Sequence, residues 1–492
     1  MKNFRGYIVI QALVFGGIGV LLIGALAGWA KVSIVGARQL TDRERAFQIA
    51  EAGVEYYRWH LAHAATDYQD GTGGPGPHVH DYEDKNGEVV GSFTLTITPP
   101  PIGSTVVTIL SEGRVLSNPA AVRKIEAKLA IPSIAKYAFV ANSVMRFGSG
   151  TEIFGPIHSN DGIRFDGLAH NLVTSSRADY DDTDHNGLNE FAVHTHVKPP
   201  PQTGLYPDSS GSVPAEMPPP PTAVRNDVFL AGRQFPVPAV DFAGFTNDMA
   251  TMKTDAQTGG FYRGASGGNG YRVVLRTDDT FDLYRVNSLR NPPGGCSTSG
   301  QTGWGTWSIN TTGGSQTNLG RQSLPANGLI FLEDHVWVEG QINSARITIA
   351  SARFPENPST YTSMIVNNDI RYTNYDGQDV LALISQNNIN IGLYSEDDLR
   401  IDAALVAKNG RVGRYYYGSS CSSYYLRSVI TLFGMLGTNQ RYGFSWICGG
   451  GSYCSGYNLR NINYDANLLY GPPPSFPLTS DQYSTISWRE VP

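Results

Sequence analysis

Between residues 7 and 30 the chain carries no charged side chain, and Gln11 is the one strongly polar position in the run. About 24 residues rising roughly 1.5 Å each span the ~30 Å of a bilayer's hydrocarbon core, so the pattern predicts one membrane-crossing helix. The helical pattern continues through residues 38–63. There Ala46, Ile49, Ala50, Gly53, Val54 and Tyr57 recur at three- and four-residue steps, with Arg43, Glu44, Arg45, Glu51 and Glu55 on other faces. The two halves together predict a single rod of about 55 residues, roughly 80 Å long. A cleaved signal peptide is the rival reading, but the run is long for one, and Ala25, Ala27 and Ala30 sit inside the continuing helix pattern.

After a Gly- and Pro-rich break the period falls from 3.6 to 2. Residues 92–99, 104–113 and 121–131 alternate apolar and polar positions between short turns, which predicts three antiparallel strands on the outer half of the helix. From residue 139 onward the pattern is short apolar pieces separated by Asn, Gly and Asp, first over 139–167 and again over 329–413. Val336/Val338, Ile347/Ile349, Ile389/Ile391 and Leu399/Ile401 form one inward set, although no strict repeat length holds. This predicts a coil of parallel rungs with Asn367/Asn368 and Asn387/Asn388 at polar corners. Prolines cluster over 197–224, a short helix is expected at 242–255, strand pieces at 271–286, and 291–328 reads as loop.

The predicted fold class is thus α+β: a long N-terminal helix with a small antiparallel sheet, then a large mainly-β domain read as a parallel β-solenoid, with a β-sandwich as second choice. The expected division is a leader at 1–6, the helix at 7–70, a linker at 71–86 and a β head at 87–133. A first solenoid part follows at 134–197, a Pro- and loop-rich insertion at 198–327, the main solenoid at 328–413 and a Cys-containing β region with a tail at 414–492.

Composition narrows the function classes. A net charge of -6 and a pI near 5.9 leave no basic face for nucleic acid. With 55 Gly, 29 Pro and only 16% charged residues, the chain suits a turn-rich β protein. Lys2 and Arg5 precede the apolar run and Lys31 follows it, an arrangement that favours a cytoplasmic N-terminus and an extracytoplasmic bulk. In that location four cysteines read as disulfides; of the three possible pairings, Cys448 with Cys454 and Cys296 with Cys421 are favoured, ahead of free thiols or zinc.

The segment around Gly6 resembles a class III prepilin leader: a short basic peptide, Gly6 before the cut, Tyr7 as the new N-terminus, then Ile8, Val9, Ile10 and the polar position Gln11. The stretch AFQIAEAGVEYYRWHLA, which contains Glu51, resembles the AxxxAEAGxE signature of PilX-type pilin-like proteins. The resemblance implies cleavage by prepilin peptidase between Gly6 and Tyr7 and packing of the helix, with Gln11 and Glu51, among other pilin-like subunits and their assembly machinery. It implies a membrane-assembled protein that reaches the cell surface or pilus, and the β-rich remainder resembles regions of unknown role attached to such N-termini. Pilins usually carry Glu where this chain has Gln11. Glutamine keeps the polarity and loses the charge, which points to a minor or tip subunit rather than a shaft subunit.

Catalytic signals are weak, and the chain is read as a non-enzyme. Gly264, Ser266 and Gly268 satisfy GxSxG without the strand and helix a nucleophile elbow needs. Asp397, Asp398, Arg400 and Asp402 could serve a carbohydrate-active enzyme on a β-helix; the alternative is solvated corner residues. Asp182, Asp184, Asn186, Gly187 and Glu190 follow the first half of a calcium loop, with Val193 where an EF-hand requires Glu. Calcium binding and a solvated acidic turn both remain open, and His194 and His196 are placed on one strand face. His78, His80 and Asp81 are read as linker residues rather than metal ligands. Three functions follow: a pilin-like subunit that displays a β domain for adhesion or filament initiation toward a surface glycan or protein, an anchored carbohydrate-active enzyme, and a calcium-stabilised binding module.

Overall fold

The computed structural model describes residues 5–100, 104–183, 188–207, 216–219, 221–242, 244–296, 301–448, 453–480 and 482–492. Helix α1 (Arg5–His63) is one unbroken element of 59 residues. Its apolar first part is long and hydrophobic enough to cross a membrane, and none of that window is buried by the protein itself. The chain divides into two compact units, one of residues 1–100, 106–130 and 482–492, the other of residues 101–105 and 131–481.

In the first unit, β1 (His78–Glu83), β2 (Val89–Thr98), β3 (Val107–Val115) and β4 (Asn118–Ala130) form an antiparallel sheet in chain order. The C-terminal strand Ser484–Val491 completes it beside β4. The sheet therefore has five strands where three were expected; β1 lies in the segment read as a linker, and the last strand comes from the predicted tail. The sequence register of α1 is kept: Ala46, Ile49, Ala50, Val54, Tyr57 and Leu61 are buried, as are Phe93, Leu95, Ile109, Ile125 and Ala127 on the sheet.

Small residues set the helix-to-sheet distance. A Cβ on Gly53 would lie 2.3 Å from Ser111 Oγ, and one on Gly113 would lie 2.1 Å from the Ala46 carbonyl oxygen and 2.5 Å from the Ala50 nitrogen. The alanines and glycine of the AEAG stretch thus have a physical reason: they let the helix backbone approach β3 closely. His80 bonds Asp70 Oδ2 at 2.6 Å and stacks on Phe93.

The second unit is a coil of parallel strands. One face stacks, in spatial order, Phe261–Arg263, Leu329–Leu332, Arg346–Ser351, Val380–Ser385, the end of Asp398–Ala407 and the end of Leu426–Thr438. It continues through Phe139–Ala141, Ile157–Ser159, Val173–Ser175 and Arg233–Gln234. The first rung in sequence therefore seats on the end of Leu426–Thr438, late in the chain. The chain builds one half of the stack over 139–234, returns outside it, and builds the other half toward its own starting point. The return includes α2 (Phe245–Gly259), close to the short helix expected. Both spatial ends of the stack, Phe261–Arg263 and Arg233–Gln234, thus lie inside the segment read as an insertion, and Gln316–Ser323, read as loop, is a strand paired antiparallel with Thr280–Val286.

This face is buried on both sides, which is why LIFL and VLALIS are continuous apolar runs. Ile330, Leu332, Ile347, Ile349, Leu381 and Leu383 fill the interior. Leu329, Phe331, Val380, Ala382 and Ile384 point outward under Met249, Met252 and Ala256 of α2 and under Leu468 and Phe476. All four inward pairs expected from the sequence lie in the interior cluster. Polar corners hold the rungs: Asn160 Nδ2 donates to Asn142 Oδ1 at 2.8 Å, and Asn142 Nδ2 donates to Asn439 Oδ1 at 2.8 Å. Asn367 and Asn388 accept from the backbone amides of Gly392 and Arg411 at 2.7 and 2.8 Å.

Cys296 bonds Cys421 across a sequence separation of 125, and Cys448 bonds Cys454 across 6. Loop-closure entropy scales with the logarithm of the span, so the long link restricts the unfolded chain more, by about 2.5 kcal/mol. Cys296→Ser should lower the urea midpoint clearly and Cys448→Ser much less; equal shifts in equilibrium unfolding would contradict this ranking.

Candidate functional site

Strands Met145–Phe147, Ile163–Phe165 and Val193–His194 pair in parallel on a second face of the coil. Met145, Phe147, Ile163, Phe165 and Val193 point into the core. Period-2 alternation sends Arg164 and its partner across the ladder, His194, to the other side. That side is also buried: the hairpin of Asp179–Tyr180 with Glu190–Phe191 covers it, and Tyr180 packs where Gly162 has no side chain.

Asp182, His194 and His196 converge beneath this roof. One donor atom from each lies within 4.8 Å of the other two, and all three residues are buried. His194 Nε2 stands 3.5 Å from Asp182 Oδ2. Both ring nitrogens of His194 are buried without a hydrogen-bond partner, in a residue of 0% exposure. Asp166 fixes the register beside them: its Oδ2 accepts from Arg164 Nε at 2.7 Å, and its Oδ1 accepts from the His196 backbone N–H at 2.8 Å. Arg164 Nη1 is 3.8 Å from Asp182 Oδ2. Burial first, then the charges of Asp182 and Glu190, push the Tyr180 phenol well above its ordinary range.

Of the residues read as a calcium loop, Asp184, Asn186 and Gly187 lie outside the described residues. Glu190 accepts from the Asp182 backbone N–H at 3.3 Å, while the Asp182 carboxylate turns toward the histidines. The sequence placed His194 and His196 on one strand face but did not connect them to Asp182. The alternating VHTHV of residues 193–197 beside an acidic turn was the available signal; Arg164 and Asp166 carried none.

The other candidates come apart. Asp402 is buried and accepts from the Tyr372 backbone N–H, the Tyr375 hydroxyl and Arg400 Nε, whereas Asp398 is exposed and Asp397 bonds Ser428. Of the carboxylates that could have formed one cluster, Asp397 and Asp402 are thus committed to separate contacts and Asp398 faces solvent. Ser266 Oγ donates to Asp334 Oδ2 at 2.7 Å, a turn contact rather than a nucleophile's link to a base. A cavity of about 280 Å³ is lined by Arg272, Arg290, Trp337, Glu339, Asn367 and Tyr394 among others. Arg272 Nε there already donates to Glu339 Oε1 at 2.7 Å.

At the other end of the chain, Tyr7 and Gln11 are exposed on α1 and Gly6 lies in its first turn. Glu51 is exposed, on a face of α1 turned away from the sheet.

No family model matches the chain. No curated protein matches it either. Among solved structures, the competence-associated pilin ComZ from Thermus thermophilus is similar over 92% of this chain and 98% of its own, at 14% identity and a TM-score of 0.28.

Proposed function

We propose that this protein is a minor or tip subunit of a type IV pilus or related filament, assembled from the membrane and carrying its β coil outward for adhesion or filament initiation. The observation that carries the reading is α1 itself. One continuous helix has a wholly exposed apolar half, while its other half is fixed to a sheet through Ala46, Ala50 and Gly53. A surface that large and apolar needs lipid or neighbouring helices to cover it. Gly6 and Tyr7 are the processing pair in this reading, and Gln11 and Glu51 face other pilin-like subunits. In this reading the cavity beside Arg290 and Tyr394 is the seat for a glycan or a protein side chain. The chain acts without catalysis of its own.

Intact mass and N-terminal sequencing of protein expressed with and without prepilin peptidase test the route. A start at Tyr7 that needs the peptidase and is lost in Gly6→Leu is expected; an uncut chain throughout would end the filament reading. The tip assignment has its own test. Gln11→Glu restores a carboxylate that can pair with a neighbour's terminal amine, so the variant's copy number in sheared filaments should rise roughly threefold, equivalent to less than ~1 kcal/mol. An unchanged copy number would remove Gln11 as evidence for the end of the filament.

A further inference from the structure

We propose that Asp182, His194 and His196 bind a late first-row divalent cation, with zinc the fitting ion, on the outer side of the coil. The proposal stands independently of the filament reading. Two imidazoles and one carboxylate form an N2O donor set, which suits zinc and its neighbours and not calcium, whose ligands are oxygens. Their donor atoms lie within 4.8 Å of one another. Zinc bonds of about 2.0–2.1 Å in a tetrahedron put ligand atoms roughly 3.4 Å apart, so small side-chain rotations close the set.

The second observation is His194. Its ring is buried, faces Asp182 at 3.5 Å, and leaves both nitrogens without a hydrogen bond. Burying a polar group in that state is costly, and a metal bond at one nitrogen would offset part of that cost. Charge agrees. Asp166, Asp182 and Glu190 are buried at the site; among the described residues Arg164 is the buried cation facing them, Arg233 beyond Val193 is engaged by Glu216, and Arg441 acts on Tyr180, so a divalent ion offsets an excess of negative charge. Arg164 is occupied chiefly by Asp166, at 2.7 Å, and stands farther, at 3.8 Å, from Asp182. The same Asp166 holds the His196 backbone, which makes it a positioning residue for the second imidazole.

The competing account is a protonated His194 paired with Asp182 and no ion. The full chain, purified in detergent without a histidine tag and stripped with chelator, distinguishes the two. Titration with Zn2+ should show one site at micromolar concentration or tighter that excess Ca2+ does not compete for. The Co2+ form should show ligand-field bands and shifted imidazole N–H resonances from two histidines. His194→Ala and Asp182→Asn should each weaken binding at least about tenfold, while His63→Ala, in the other unit, leaves it unchanged. If the unmodified chain takes up neither Zn2+ nor Co2+, takes up calcium alone, or shows fewer than two shifted histidines, the proposal fails. The Co2+ measurements need no variant, so they decide the question even if His194→Ala does not fold.

Discussion

Gly113→Val should lower the melting temperature of the helix-and-sheet unit by about 10 °C or more, a loss of roughly 3 kcal/mol. The reason is that every atom the new side chain meets is fixed. Even its Cβ would lie 2.1 Å from the Ala46 carbonyl oxygen and 2.5 Å from the Ala50 nitrogen. Both belong to the backbone of α1, so no rotamer change relieves the contact. Gly113 is also held from the sheet side, because β3 pairs with β2 through Phe93 and with β4 through Arg123. Helix and sheet must separate, and the cost spreads to Ile49, Val54 and Phe93, which pack only while the two stay close. Gly148→Ala is the control: nothing lies within 4 Å of a Cβ there. The check is a thermal melt of full-length protein in detergent by near-UV circular dichroism. Similar melts for Gly113→Val and Gly148→Ala would mean that the close approach is not what holds the unit together.

Glu216→Gln should cost about 3–5 kcal/mol in local stability around Arg233 and Phe191, beside the hairpin that roofs the histidine cluster; the Phe191 N–H donates to the Glu216 carbonyl at 2.8 Å. Glu216 is fully buried, and Arg233 donates to both of its oxygens, at 2.5 and 3.2 Å, while Arg225 Nη1 lies 3.4 Å from Oε1. Removing the carboxylate charge leaves Arg233 buried with two backbone carbonyls, those of Val193 and Ala223, and no acid within reach among the described residues. Arg225 keeps Asp227 at 2.8 Å, so the loss falls mainly on Arg233. An uncompensated buried charge is what makes breaking such a pair expensive. The readout is hydrogen exchange of peptides around Phe191 and Arg233, where protection should fall by about 100-fold or more while peptides from 380–407 stay unchanged. Unaltered protection around Phe191 would show that the ion pairs contribute little to closing the roof.

Much of the first unit was readable because its signals are local. An apolar run long enough for a bilayer, followed by small and apolar residues at helical spacing, states which face of α1 is buried without reference to any partner. Alternation did the same for β2, β3 and β4, and for the inward pairs such as Ile347/Ile349. β1 was lost inside a Gly- and Pro-rich stretch, where break signals outweigh a short alternating HVHDYE. The candidate cation site was half legible: HxH on a strand is visible in a sequence, but its neighbour Asp182 was assigned to a loop of oxygen ligands.

The sequence by itself determined the long helix, its apolar and amphipathic halves, the β character of the rest and the side each rung residue faces. All of these follow from periodicities of 3.6 or 2 that act between near neighbours. Only the tertiary structure decided that Phe139–Ala141 seats on the end of Leu426–Thr438, that Ser484–Val491 closes the first sheet, and that Asp182 meets His194 and His196. Each joins strands or loops whose own patterns fit several neighbours equally well. Closing a longer loop costs only slightly more than closing a shorter one, so chain distance ranks such partners poorly. The choice falls to how whole surfaces pack, and no local window of residues contains that information.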